Sequence, residues 1–181
     1  MKNKIDIVGL CLFFSLILLA PLNLIASEKI LHRGNGAEPD TLDPHLATGH
    51  WEGSIINDIF IGLFTKGEDG SSIKGSVKSY TKSENGLKYT FFLREDHFWS
   101  DGVNVTADDY VNGFRRVLNP ITASQYGSLL YLIKNGLEVN SGDLSPDELG
   151  VKKLDDFTLE ITLNYPAPYF EELLTHYTTY P

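Results

Sequence analysis

The sequence predicts an α/β fold on three observations. Residues 77–93 and 151–163 each alternate apolar and polar side chains on either side of a tight-turn signal, the mark of paired strands with one buried face. Between these stretches, and ahead of them, apolar residues recur at spacings of three and four, the period of a helix packed on one side. Composition agrees: 42% of the 181 residues are hydrophobic and 22% charged, enough for one domain core and part of a second.

The N-terminal segment stands apart from the fold. Lys2 and Lys4 precede an apolar run from Ile7 to Ala20, and the small residues Ala26 and Ser27 follow it. This is the pattern of a secretory signal peptide over residues 1–26. Because the run ends in a small-residue site rather than a basic stop, cleavage is expected over a retained anchor. The only cysteine, Cys11, lies early in that run, whereas a lipid-anchored chain carries its cysteine after the run. The mature chain is thus expected to hold no disulfide, so packing supplies its stability.

Residues 29–33 predict a short strand, broken by Gly34, Gly36, Pro39 and Pro44. From His50, the apolar Trp51, Ile55, Ile56, Ile59, Phe60 and Leu63 predict an amphipathic helix ending near Gly62, with Glu52, Asn57 and Asp58 on its polar side. A turn-rich loop follows. Strands are expected over 77–83 and 87–93, joined by Glu84-Asn85-Gly86, with Tyr89, Phe91 and Leu93 on the buried face.

The stretch from Phe98 to Asp109, FWSDGVNVTADD, reads as a sharp reversal at Gly102 and then a helix start, with Thr106 and Asp109 at the spacing of a capping box. Tyr110, Val111, Phe114, Val117 and Leu118 continue at helical spacing until Asn119-Pro120 stops them. Trp99 is expected to cover this junction. Helices are also expected over 124–134 and 136–140, then an acidic loop, two strands turning at Asp155-Asp156, and a helix beginning near residue 167.

Several chemistries find little support. With 15 Lys and Arg against 24 Asp and Glu, a net charge of −9 and a basic run only at the extreme N-terminus, the chain lacks the basic face a nucleic-acid partner needs. The five histidines, His32, His45, His50, His97 and His176, do not stand at a ligand spacing, although His45 and His50 flank one loop; no metal site is expected. No nucleotide-binding glycine pattern or hydrolase nucleophile elbow occurs. Adjacent acids such as Asp108-Asp109 and Glu171-Glu172 point about 100° apart on a helix and read as caps and turns. Dispersed carboxylates acting as a secreted hydrolase form the alternative from a different class. Trp51 and Tyr126, aromatics at polar junctions, are the ones not assigned outright to the core.

Taken together, LDPHLATG, DIFIGLFTKGEDG, KYTFFLREDHFWSDGVNVTADDYVNGFRRVLNP, TASQY and LGVKKLDDFTLEITLNYPAPYFEELL resemble, in this order, the N-terminal part of the periplasmic oligopeptide-binding proteins, the solute-binding subunits of peptide ABC transporters. The resemblance covers the chain from about Lys29 to Pro181 and is most specific in its tryptophan-serine-aspartate-glycine block. It implies a type II, bilobal periplasmic-binding fold truncated after the small N-terminal lobe, with residues 27–59 belonging to the main lobe and 60–181 to the small lobe. It also implies a non-enzymatic, periplasmic protein that binds short peptides, without a cofactor, and works with a membrane permease. The ligand-binding residues it implies are Thr48, Gly49 and His50, after the Leu-Asp-Pro motif, and Tyr126. Relatives specific for oligopeptides often carry an acidic residue where this chain has Thr48. The resemblance further implies a longer family chain, hence a fragment with a possible complementary C-terminal chain. Dipeptide, nickel or haem binding and a nonfunctional remnant are the alternatives within this class.

Overall fold

A computed structural model describes residues 30–181. The expected signal peptide over 1–26 and the first residue of the expected strand, Lys29, lie outside the described residues. Helix α1 spans His50–Ile59. A small hairpin of β1, Phe64–Lys66, and β2, Ser72–Lys74, follows. The main sheet contains β3, Val77–Lys82, and β4, Lys88–Leu93, then β5, Val151–Asp155, and β6, Thr158–Thr162. Between the two strand pairs lie α2, Ala107–Leu118, and α3, Gly136–Ser141; the short α4, Phe170–Leu173, comes last. Among the described residues no helix is long and apolar enough to cross a membrane.

The four strands pair antiparallel in the order β3-β4-β6-β5, so two hairpins meet along β4 and β6. Their register places Tyr89 opposite Ile161 and Phe91 opposite Leu159. All four are buried, while Lys88, Phe92 and Arg94 face water, the alternation expected of a sheet covered on one side. The hairpin turn needs only one left-handed residue, Gly86, whose N–H donates to the Ser83 carbonyl at 2.8 Å.

Helix α2 covers the buried face. Tyr110, Phe114, Val117 and Leu118 are fully buried and lie in one core of 25 residues with the sheet's apolar side. Burying each large side chain of this kind stabilises the fold by about 1.5–3 kcal/mol. The capping interaction forms as expected: the Thr106 N–H donates to Asp109 Oδ2 at 2.7 Å and the Thr106 hydroxyl to the same oxygen at 3.0 Å. Ahead of it, Gly102 takes φ +87°, and the Trp99 N–H meets the Val103 carbonyl at 2.8 Å. The Ala107 N–H then donates to the Asp156 carbonyl at 2.8 Å, clamping the helix start onto the β5–β6 turn. Trp99 packs half-buried against the core, its ring edge-on to Phe60.

Four expectations need correction. Residues 30–33 form no strand and are exposed, because a strand exists only as one side of a ladder and no described strand pairs with them. Helix α1 is rotated from the expectation: Ile56 is buried and Asn57 and Asp58 are exposed as expected, but Glu52 is buried with Ile56 and Trp51 and Ile59 are exposed. The expected loop after α1 holds the β1–β2 hairpin. Residues 124–134 make only a 3-10 turn over Gly127–Leu130, because the backbone beyond it is bonded to the end of the inner strand β6 instead of to itself. There, the Lys134 N–H donates to the Thr162 carbonyl at 2.9 Å, and the Asn164 amide donates to the carbonyls of Tyr131 and Ile133 at 3.0 and 3.1 Å.

A candidate peptide-binding edge

The loop before α1 is built around Asp43. Its carbonyl accepts from the N–H groups of Leu46 and Ala47, closing one helical turn, and its carboxylate accepts the His45 N–H at 3.0 Å. Arg116, in the last turn of α2, forks onto both carboxylate oxygens and holds the Asp43 carboxyl below its ordinary range. The same guanidinium donates to His45 Nδ1 at 2.8 Å, and His45 Nε2 stands 3.0 Å from the Tyr180 carbonyl. Since a guanidinium only donates and a carbonyl only accepts, His45 is neutral with its proton on Nε2. Burial lowers its pKa, in the same direction. Both ring nitrogens of His45 are therefore engaged, and His50 lies elsewhere, exposed and edge-on to Trp51. Among the described residues no three His, Cys, Asp or Glu side chains gather as a metal site.

The loop's end is held by tyrosines. Tyr177 donates its hydroxyl to the Ala47 carbonyl at 3.3 Å, and Tyr126 donates its own to the next carbonyl, Thr48, at 3.0 Å. Tyr126 meets the ring of His176 edge-on at 4.9 Å, and His176 lies against Tyr177 at 4.4 Å. His176 Nδ1 accepts the Thr178 N–H at 3.2 Å, and burial lowers its pKa, so its ring too is neutral. The Tyr177 phenol is pushed up, first by burial and then by the neighbouring Tyr126 phenol. At neutral pH this edge consists of neutral hydroxyls, an imidazole and ring faces.

Tyr126 is positioned by the short turns around it. Ala123 takes a left-handed φ of 53°, and the Gly127 N–H returns to the Ser124 carbonyl. Asn140 of α3 then pins the turn, accepting from the Tyr131 hydroxyl at 2.7 Å and donating to the Leu118 carbonyl at 3.1 Å. Gly49 serves a different need. A Cβ there would stand 2.0 Å from Glu52 Oε2, so only glycine lets the buried carboxylate approach the backbone. Glu52 Oε1 accepts the Asp40 N–H at 3.0 Å, and that amide keeps its carboxyl below the ordinary range.

The structure thus joins Thr48 and Tyr126, 78 residues apart, in one hydrogen bond. Thr48 and His50 are exposed at the same loop end, and Gly49 between them is committed to Glu52. Sequence reading passed over His176 and Tyr177, which complete the aromatic edge. The repeated tyrosines of Tyr177-Thr178-Thr179-Tyr180, too polar for a helix face, were the available signal. A cavity of about 690 Å³ opens beyond them, lined by His176, Tyr177, Tyr180, Leu129 and Leu173 among others.

With this geometry in place, the sequence pattern described as bacterial extracellular solute-binding proteins, family 5 Middle, matches residues 41–181. The chain belongs to this family. Among its relatives, the periplasmic oligopeptide-binding protein OppA of Escherichia coli (strain K12) is 42% identical over 159 residues, covering 87% of this chain and 29% of that protein. Two solved family structures superpose with a TM-score of 0.79 at 36% identity. They are Listeria monocytogenes OppA bound to peptide, matched over 80% of this chain and 29% of that one, and Haemophilus influenzae OppA in complex with RPPGFSPFR, over 82% and 29%. The fold is therefore that of the type II periplasmic-binding proteins, and this chain spans about three tenths of the length of the relatives it matches.

Proposed function

We propose that this chain supplies one side of a peptide-binding cleft in an extracytoplasmic solute-binding subunit of an ABC transporter, and that Thr48, Gly49, His50 and Tyr126 border the ligand. The supporting observation is the bond from Tyr126 to the Thr48 carbonyl, which gathers residues from two distant stretches onto one exposed edge. The edge offers neutral hydroxyls and backbone groups, the chemistry that pairs with a peptide main chain and tolerates varied side chains. In this reading residues 27–59 belong to the main lobe and 60–181 to the small lobe. Export proceeds through the signal peptide at 1–26, a membrane permease receives the peptide, and the protein binds without catalysing a reaction. The rest of the clamp comes from a complementary C-terminal chain.

Isothermal titration tests this. The chain paired with a complementary C-terminal family chain is titrated with short peptides of mixed sequence. We expect saturable heats, and Tyr126→Ala weakens binding about tenfold, equivalent to roughly 1.4 kcal/mol, within the usual cost of losing a hydrogen bond and its ring packing. Absence of heat from a folded, assembled pair overturns the proposal.

A further inference from the structure

Where glycine follows asparagine, the glycine backbone nitrogen can attack the carboxamide carbon of its own neighbour, with no Cβ to obstruct the ring that closes. The chain has four such pairs: Asn35-Gly36, Asn85-Gly86, Asn112-Gly113 and Asn135-Gly136. What separates them is how each glycine N–H is held.

Three are locked. Gly86 is buried in its hairpin turn and donates its N–H to the Ser83 carbonyl at 2.8 Å. Gly136 is buried and donates to the Ile133 carbonyl at 2.8 Å, while Asn135 Nδ2 is held by the Glu148 carbonyl at 2.7 Å. Gly113 is buried within α2, where a backbone N–H points to the carbonyl four residues back. Gly36 differs from all three. It is exposed, and among the described residues its N–H meets no acceptor.

The Asn35 side chain is also folded toward that free N–H. Its Nδ2 donates to the Ala37 carbonyl, two residues on, at 3.1 Å, which lays the carboxamide along the intervening Gly36 peptide. The same Nδ2 donates to the Trp51 carbonyl of α1 at 3.1 Å. Gly36, at φ +87°, lies so close under the Trp51 ring that a Cβ there would stand 2.4 Å from it. One carboxamide therefore both fastens Asn35–Ala37 to α1 and faces a nucleophile.

We propose that Asn35-Gly36 is a site of spontaneous modification, where asparagine becomes an aspartyl or isoaspartyl residue and unfastens Asn35–Ala37 from α1. The Gly36 nitrogen gives its proton to water and bonds to Asn35 Cγ. The Cγ–Nδ2 bond then breaks, and ammonia leaves. Water opens the resulting five-membered imide at either carbonyl, so the net change is water taken up and ammonia released. The product carboxylate can only accept hydrogen bonds, so the Ala37 and Trp51 carbonyls both lose their donor. Trp51 also meets the His50 ring edge-on at 5.5 Å, which carries the change to the end of the candidate edge. The inference does not depend on the peptide reading.

The test ages the purified chain at mildly alkaline pH, with and without urea, and follows all four sites by peptide mapping with mass spectrometry that separates aspartyl from isoaspartyl products. In native buffer, position 35 is expected to convert roughly tenfold faster than the other three, each of which must first give up the bond made by its glycine N–H. In urea that lead is expected to collapse. Tryptophan emission should move to the red in step with conversion and in unaged Asn35→Asp, but stay fixed during ageing of Asn35→Gln. Trp51→Phe should lose most of the shift while converting at the wild-type site. Equal native rates at the four sites, a faster site elsewhere, or a lead that survives urea overturns the modification site. Complete conversion with unchanged emission overturns the release from α1.

Discussion

The molecule holds two cores built on different principles. The sheet and α2 anchor a core of 25 buried apolar residues, and those they contribute follow the two- and 3.6-residue periods of their elements. The loop before α1, α1 itself and the C-terminal turn share only four, Ala47, Ile56, Tyr177 and Tyr180. That second region is tied by side chains reaching main-chain carbonyls: Tyr177 to Ala47, Tyr126 to Thr48 and His45 to Tyr180. The first core gets its strength from area removed from water. The second gets its shape from a few directed bonds, which fix an exposed edge while burying little.

Removing area should therefore hurt the first core most. Phe114→Ala is expected to lower stability by about 3–5 kcal/mol, measured by urea denaturation, from lost transfer energy and the cavity left behind. A loss below about 1 kcal/mol would show that the sheet layer is not the chief source of stability.

The second region should answer to a single polar change. Arg116→Met takes the guanidinium from the Asp43 carboxylate and the donor from His45 Nδ1, and we expect a loss of about 1–2 kcal/mol, limited because Asp43 keeps the His45 N–H and water reaches the half-exposed Arg116. Amide hydrogen exchange should rise at residues 43–48 and leave β4 and β6 protected. Uniform loosening of both regions would erase the distinction between them.

A smaller effect is expected from pH. His45 and His176 are held neutral by burial, so their folded pKa values lie below the ordinary 6.5. The unfolded chain then binds more protons than the folded one as pH drops through that range. Stability is full above about pH 6.5 and declines as pH falls through the lower folded values. Urea midpoints at pH 7.5 and 5.0 should show this decline, and His45→Gln should reduce it; a midpoint unchanged between the two pH values contradicts the neutral assignment.

Reading the sequence recovered the parts governed by neighbours along the chain. The β3–β4 and β5–β6 hairpins, the reversal at Gly102 and the Thr106–Asp109 cap all depend on residues within a few positions of one another. Of the candidate edge, Tyr126 stood out as an aromatic at a polar junction and Thr48 came from family resemblance alone, while nothing local to either signals a bond across 78 residues. Gly49 was placed at the loop without the reason for it, the carboxylate of Glu52.

The orientation of α1 shows the limit most clearly. Its periodicity gave two faces but no means of choosing between them, since both Trp51, Ile55, Ile59 and the neighbouring Ile56 supply apolar stripes. The choice fell to the Asp40 amide and the bare backbone of Gly49, which accept Glu52 into the interior, and to Tyr177, whose ring packs against Gly53. The sequence by itself determined which segments become strand, turn and helix, because those follow from local sterics and the spacing of apolar side chains. Only the tertiary structure decided which way α1 faces and which carbonyls the tyrosines hold, because both depend on partners brought close by folding.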